Sequence, residues 1–149
     1  MSETVRRIQG KCHCGNIRFT FLWPDSGAKI PVRACSCTFC IKHGGVYTSH
    51  PKGQVDIQVE NESLLTRYRF GTGTAEFFIC SSCGVVPIVT STIDGDEYAV
   101  VNVNSFEGVK RSELDQSISD FDGETTESRL ARRKRNWIPN VSVKLGPYN

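Results

Sequence analysis

Thiol side chains are the residues of this sequence whose type and spacing most clearly indicate chemistry. All seven cysteines fall into three tight groups: Cys12 and Cys14, then Cys35, Cys37 and Cys40, then Cys80 and Cys83. Such close spacing is typical of a soft metal ion, because several short side chains must reach one centre. Zinc binds cysteine sulfur at ~2.3 Å and prefers four tetrahedral ligands in a closed structural site. Seven divides as four plus three, so we expect two zinc ions per chain, one in a closed site and one with an open position.

The two cysteine pairs predict the closed structural site. In an extended segment, residues i and i+2 point to the same face, so Cys12 and Cys14 can reach one metal ion. Cys80 and Cys83 have the spacing of a zinc knuckle, and Gly84 suits a positive φ angle just after the second ligand. A structural site draws two ligands from each of two segments. We therefore expect these four thiolates to join the N-terminal strand to the middle of the chain, which couples metal binding to folding.

The loop at residues 35–40 predicts the open, catalytic site. Its three thiolates, on Cys35, Cys37 and Cys40, donate much charge to a zinc ion and leave it a poor Lewis acid with one free position. That position suits the sulfur of a thiol substrate, because a metal-bound thiol is deprotonated and the thiolate is the nucleophilic form. The predicted chemistry is activation of a small thiol for attack on an electrophilic carbon.

Other interpretations of this loop stay open. His43 could complete a second closed site as a fourth ligand, or the cysteines could form a redox dithiol. His13 lies between two ligands, so we expect it to point away from the metal. His43 and His50 are also compatible with surface or hydrogen-bonding roles, and Phe39 with either a substrate wall or ordinary packing. The glycines at 44–45 suit a turn or the close approach of another group.

Short strand-like runs, of which the first three alternate between apolar and polar residues and the one at 86–92 is rich in β-branched residues, must position these groups. They lie at residues 17–21, 55–59, 65–70, 75–80, 86–92 and 98–103. The first run ends at a turn signal at 24–27, and the runs at 65–70 and 75–80 flank a glycine turn and predict a hairpin that leads into Cys80. Short strands at roughly ten-residue spacing predict a mainly β fold, a β-sandwich-like stack of zinc-clamped sheets with little helix.

One short helix is predicted at residues 127–134, capped at Thr125 or Thr126. It carries the one basic cluster of the chain: Arg129, Arg132, Arg133, Lys134 and Arg135. This cluster is compatible with a solvated face or a mobile tail, and also with an anion-attracting rim near the active site. The Trp-Ile-Pro run at 137–139 indicates that the tail packs back onto the body.

Composition limits the remaining functions. A chain of 149 residues with no internal repeat predicts a single domain over residues 1–149. A net charge of +2 gives no electrostatic case for nucleic acid or a membrane surface. No apolar run is long enough to cross a bilayer, and residues 1–10 lack the apolar core of a signal peptide. We therefore expect a cytoplasmic protein, in which clustered thiols stay reduced and indicate metal ligands rather than disulfides.

The order of the cysteine motifs resembles that of the glutathione-dependent formaldehyde-activating enzyme family, which includes the centromere protein V type. The matching motifs are GKCHCG at 10–15, CSCTFC at 35–40, FICSSCG at 78–84 and VNVN at 101–104. The similarity covers roughly residues 8–110, with a further match at the Phe-Asp-Gly run at 121–123, and leaves 111–149 as a C-terminal extension. Three cysteine groups in this order are far more specific than any one C-x-x-C motif.

The resemblance implies a fold, two metal sites and a reaction. It implies a zinc-bound β fold, with a structural zinc on the first and third cysteine groups and a catalytic zinc on the second, where the thiol substrate completes the shell. The family reaction joins glutathione and formaldehyde to S-(hydroxymethyl)glutathione and is classed as a carbon–sulfur lyase in reverse. The implied partners are thus a small thiol and a small aldehyde, and His43 or Lys42 would steer the proton to the new hemithioacetal oxygen.

Two further functions compete with this enzyme. One is a non-catalytic, zinc-stabilised binding module with two structural zinc sites. The other is a thiol enzyme like methionine sulfoxide reductase, which needs a reactive cysteine beyond the zinc ligands, whereas all seven cysteines are already assigned. The sequence leaves open the identity of the thiol and the aldehyde and whether the chain forms a homodimer.

Overall fold

The fold was analysed in a computed structural model, which describes residues 4–121 and 123–148. Residues 1–3 and 149 of the predicted domain, and Asp122 of the run at 121–123, lie outside the described residues. The described residues form these strands: β1 (Thr4–Lys11), β2 (Ile17–Asp25), β3 (Ile30–Cys35), β4 (Val46–Thr48), β5 (Gln54–Val59), β6 (Leu65–Tyr68), β7 (Glu76–Cys80), β8 (Ile88–Ile93), β9 (Asp96–Asn102), β10 (Phe106–Glu107), β11 (Leu114–Ser119) and β12 (Asn140–Leu145). They also form two α-helices, α1 (Thr38–His43) and α2 (Thr126–Asn136), and three short 3-10 helices at Glu62–Leu64, Val103–Ser105 and Arg111–Glu113.

The strands build two sheets. The smaller sheet has the order β10-β1-β2-β5-β12, and the larger has the order β11-β3-β4-β9-β8-β7-β6. Neighbouring strands are antiparallel, except that β11 runs parallel to β3 and β12 runs parallel to β5. The predicted mainly β architecture of stacked sheets with little helix is confirmed.

The core between the two sheets follows from strand alternation. Successive side chains of a strand point to opposite faces, so every second residue of β2 turns inward. Phe19 and Phe21 of β2 are buried and pack in one cluster with Ile57 of β5, Phe78 of β7 and Val101 of β9. Burial of such side chains stabilises the fold by about 1.5–3 kcal/mol each, and this shared core holds the sheets face to face.

Strands with clear alternation were predictable. The runs at 17–21 and 55–59 correspond to β2 and β5, and the hairpin is confirmed as the antiparallel pair β6–β7. The first turn comes later than predicted, because Pro24 and Asp25 still pair with β1 at the end of β2. There the Asp25 side chain accepts a hydrogen bond from the Gly27 N–H at 2.9 Å, which forms the turn.

The outer face of the larger sheet is covered as well. Phe77 and Val89 point away from the inter-sheet core and pack in a second cluster with Cys40, Tyr47 and Trp137. The helix α2 begins as predicted, with Thr125 accepting a hydrogen bond from the Ser128 N–H at 3.1 Å. After it the tail packs back onto the body, since Ile138 is fully buried. Within residues 4–121 and 123–148, no helix is long and apolar enough to cross a membrane.

Candidate metal centres and the adjoining cavity

The first sulfur group lies at the end of β1, the start of β2 and the end of β7. Cys12 and Cys14 follow β1, Cys80 is the last residue of β7, and Cys83 lies in the turn after it. Their four Sγ atoms lie within 4.8 Å of one another. The Sγ atoms of Cys14 and Cys80 are 3.4 Å apart, and those of Cys12 and Cys14 are 3.8 Å apart. Four sulfurs at ~2.3 Å from a tetrahedral zinc would be about 3.8 Å apart, so the donor set fits such an ion.

The backbone around this group is arranged for thiolates. The Ile17 N–H donates to Cys12 Sγ at 3.3 Å. Gly84 has a φ angle of 81°, which confirms the predicted left-handed position after Cys83. Burial alone would raise the pKa of Cys83, but hydrogen bonds from backbone groups lower this pKa to about 6. Cys83 therefore favours the thiolate, the form that binds metal, whereas burial raises the pKa of Cys12 to about 12 and also raises that of Cys80.

The second sulfur group is local to the turn between β3 and α1. Cys35 ends β3, Cys37 caps the N-terminus of α1, and Cys40 lies within that helix. Their Sγ atoms again lie within 4.8 Å of one another. The Cys40 N–H donates to Cys37 Sγ at 3.4 Å. A hydrogen bond with Cys40 lowers the pKa of Cys35 to about 5, and the same pairing raises the pKa of Cys40.

The two groups differ in how many ligands they offer. The first offers four sulfurs, a complete tetrahedral shell, and the second offers three. Among the described residues, no histidine or carboxylate joins the second group. The alternative in which His43 closes this group is thus not favoured by the geometry. Both groups could hold a metal ion, and the structure brings together the same sets of cysteines that the sequence predicts as ligand sets.

A cavity of about 390 Å³ lies over the second sulfur group. Its lining combines the three thiols with aromatic, aliphatic and basic side chains, including Tyr47, Phe70, Phe77, Val89, Val100, Trp137, Arg33, Arg129, Arg132 and Arg133. Ligand pockets are typically mostly apolar with a few convergent polar groups, and this volume falls within their usual range. The cavity therefore has the size and lining of a small-molecule site.

Tyr47 is a cavity residue that the sequence analysis missed. Its hydroxyl lies 3.5 Å from Cys40 Sγ and 3.2 Å from His43 Nε2, so it links the sulfur group to the histidine. Burial raises the pKa of Tyr47, which keeps the hydroxyl protonated and able to donate. The sequence signal was the glycine at 45, which suits the close approach of another group. That group is the Tyr47 hydroxyl, because a Cβ atom at Gly45 would lie 2.5 Å from it.

Neither predicted proton-steering residue lines the cavity directly. Lys42 is exposed on α1, and His43 reaches the cavity only through Tyr47. Phe39, whose role was left open, packs behind the wall, with its ring centroid 5.2 Å from Phe70 and 4.9 Å from Phe77.

The remaining histidines lie apart from the sulfur groups. His13 is exposed and belongs to neither group of metal-binding atoms. His50 packs edge-on against Trp23 at 5.1 Å and accepts a hydrogen bond from the Lys52 N–H. Both have the ordinary surface or hydrogen-bonding roles allowed by the sequence.

The basic cluster divides between the cavity and the solvent. Arg129, Arg132 and Arg133 line the cavity, whereas Lys134 forms an ion pair with Asp94 at 2.9 Å on the outside. Burial lowers the pKa of Arg133 to about 10, and its positive neighbours add to the shift. Of the two interpretations left open by the sequence, the location of these three arginines favours the anion-attracting rim.

Comparisons with known proteins agree with this geometry. The family model described as glutathione-dependent formaldehyde-activating enzyme matches residues 7–122. The crystal structure of a Rhodobacter sphaeroides protein is similar, with 28% sequence identity and a TM-score of 0.52 over 73% of this chain and 99% of that one. A search of curated proteins finds no significant match.

Proposed function

Since this chain belongs to the glutathione-dependent formaldehyde-activating enzyme family, we propose that it adds a small thiol, glutathione, to formaldehyde or a similar small aldehyde. The reverse reaction is that of a carbon–sulfur lyase. The observation that carries the proposal is the placement of the three-sulfur group, and not a four-sulfur group, in the wall of the 390 Å³ cavity. A group one ligand short of a tetrahedral shell suits a substrate ligand.

We assign the two ligand sets to two zinc ions. Cys12, Cys14, Cys80 and Cys83 would hold the structural ion. Cys35, Cys37 and Cys40 would hold the catalytic ion, which supplies a position where a thiol loses its proton and stays a thiolate at neutral pH. Reduced thiols are required at both sites, so we place the protein in the cytoplasm.

The side chains around the thiol site bind and orient the substrates. The rings of Phe70, Phe77 and Trp137 give the cavity apolar walls that exclude water from the reacting atoms. When both reactants are bound in one small cavity, their reaction becomes effectively unimolecular. This removes much of the entropic cost of bringing them together.

In the addition step, the thiol loses one proton and the carbonyl oxygen gains one. The thiol proton passes to solvent, the sulfur electron pair forms a bond to the carbonyl carbon, and the electrons of the broken C=O π bond move to the carbonyl oxygen. The Tyr47 hydroxyl, a protonated donor in the cavity wall, donates to this oxygen and the proton passes to it. Tyr47 regains a proton from solvent by way of His43, whose Nε2 lies 3.2 Å from the hydroxyl, so one proton enters for the one released and the product leaves as the hemithioacetal.

The binding-module alternative has less support. It requires a second closed shell, whereas His43 Nε2 is engaged by Tyr47 and the described residues offer three ligands at the second group. A metal ion with a purely structural role would also not need a cavity next to its ligands.

The test is adduct formation measured by exchange NMR with glutathione and ¹³C-formaldehyde. The zinc-loaded protein is expected to accelerate exchange over buffer, and Cys37→Ser to return it to the buffer rate. Lys42→Ala, an exposed change on the same helix, is the matched control and should keep the wild-type rate. No acceleration by wild type, or full acceleration by Cys37→Ser, would refute the proposal.

A further inference from the structure

The helix α2 lies beyond the part of the chain that the family model matches. The family match ends at residue 122, and α2 begins at Thr126. Arg129, Arg132 and Arg133 of this helix, with Trp137 just after it, nevertheless form one wall of the cavity. This wall, called the α2 wall below, is where the chain can set its own substrate preference.

Three buried donor atoms of the α2 wall lack a hydrogen-bond acceptor among the described residues: Arg129 Nε, which lies 3.6 Å from a Glu124 carboxylate oxygen, Arg133 Nε and Trp137 Nε1. Arg133 is 6% exposed, and its Nη1 donates to Thr74 Oγ1 at 2.9 Å and to Ser91 Oγ at 3.2 Å. Its Nε has no hydrogen-bond partner among the described residues, and neither has Nε1 of Trp137, which is also 6% exposed. Leaving buried donors unpaired is costly, so native structures satisfy nearly all of them. An acceptor on a bound molecule would supply what Arg133 and Trp137 lack.

The charge on this wall points to an anionic acceptor. The cavity is lined by four arginines and one carboxylate: Arg33, Arg129, Arg132, Arg133 and Asp120. Just outside the cavity, the Glu124 carboxylate accepts hydrogen bonds from Arg132 at 3.0 and 3.1 Å. It also forms an ion pair with Arg129 at 3.6 Å. Arg133 forms no ion pair within residues 4–121 and 123–148. Glu124 is thus shared by Arg129 and Arg132, and the three arginines of the α2 wall outnumber this one carboxylate.

The α2 wall is also close to the sulfur group. Trp137 packs in the same buried cluster as Cys40 and Tyr47. Arg132 lines the cavity together with Cys35 and Cys40. One small molecule can thus contact the sulfur group and the α2 wall together.

We propose that Arg133 and Trp137 bind a carboxylate of the substrate, so that the cavity selects thiols that carry a carboxylate. This inference rests on the proposed function for the thiol end of the molecule. A carboxylate accepts from a guanidinium in the plane of its N–H groups, and its second oxygen can accept the indole N–H. Uncharged thiols would leave both donors unpaired and bind less tightly.

Calorimetric titration of the zinc-loaded protein tests this. The probes are glutathione, its diethyl ester, which keeps the thiol but blocks both carboxylates, and S-methylglutathione, which keeps both carboxylates but blocks the thiol. Wild type is expected to bind glutathione about tenfold or more tighter than the ester, the size expected for a hydrogen bond to a charged group. Arg133→Met should bring glutathione down to the affinity of the ester and leave the ester unchanged.

Matched variants separate recognition from folding. Arg135→Met removes an exposed charge from the same helix and should leave every affinity unchanged. Trp137→Phe keeps an aromatic ring and removes the indole N–H. It should also lower the affinity for glutathione relative to the ester, and it provides this test even if Arg133→Met does not fold. Equal affinity of wild type for glutathione and its ester, or equal loss of both ligands in the variants, would overturn the proposal. Tighter, Arg133-dependent binding of 4′-phosphopantetheine than of glutathione would also overturn it, in favour of phosphate.

S-methylglutathione distinguishes the two proposals. If the thiol chemistry is wrong but the α2 wall binds a carboxylate, this probe still binds and still depends on Arg133. If the thiol chemistry is right but the α2 wall has no such role, glutathione and its ester form adducts with formaldehyde equally well.

Discussion

Loss of the metal ion from the four-sulfur group should destabilise the fold. The number of residues between its two cysteine pairs sets the size of this effect. Cys14 and Cys80 lie 66 residues apart, and a metal ion on both groups closes that loop much as a disulfide would. Closing a loop of this length restricts the unfolded chain by about 4 kcal/mol. Cys83→Ser is a nearly isosteric change at a half-buried position that removes one ligand. In a chelator that strips the weakened site, this variant should lose up to about 4 kcal/mol of unfolding free energy, or about 8–16 °C in Tm for a chain of this size.

Differential scanning calorimetry in a chelator concentration that leaves wild type loaded measures this loss. Cys37→Ser is the matched control, because its group joins residues of one short loop and closes no long segment of chain. Its Tm should stay within a few degrees of wild type. Equal destabilisation by both variants, or no destabilisation by Cys83→Ser once its metal is lost, would refute the division into a structural and a catalytic group.

Three other substitutions test the cavity and the core. Tyr47→Phe removes the hydroxyl donor and should lower kcat in exchange NMR by about 10²-fold, the usual size for one lost donor to a developing oxyanion, with KM little changed; a loss below threefold would contradict its role. Gly45→Ala places a Cβ atom 2.5 Å from the Tyr47 hydroxyl and should lower kcat in the same way; an unchanged rate would show that the hydroxyl position does not matter. Phe78→Ala empties a fully buried site between the sheets and should cost about 3–5 kcal/mol in urea unfolding, whereas a loss below about 1 kcal/mol would contradict its place in the core.

The sulfur groups were predictable because their geometry is local. Two thiols separated by one or two residues reach a common point through a strand pleat or a tight turn, whatever the rest of the chain does. The joining of residues 12–14 to 80–83 is long-range, yet ligand number alone predicted it. Tyr47 could not be placed in this way, because its position depends on the pairing of β4 with both β3 and β9.

Strands were predictable where one face is buried and the other exposed. The alternation in β2 and β5 reflects such a surface, whereas β11 is exposed or half-buried along its length and offers no pattern to detect. The edge strand β12 alternates only weakly, and its parallel pairing with β5 joins distant parts of the chain. The Trp-Ile-Pro run at 137–139 predicts that the tail packs back onto the body, but the face that receives it, where Trp137 and Arg133 pack on the outer side of the larger sheet, is a long-range contact that no local pattern encodes.

Zinc content per chain, measured on protein purified under reductant and supplemented with zinc, tests the central claim most directly. The account predicts two zinc ions for wild type and one for Cys37→Ser, whose four-sulfur group is intact. A single ion in wild type that cannot be supplemented would leave Cys35, Cys37 and Cys40 without a metal, and would contradict the proposed thiol-activating site.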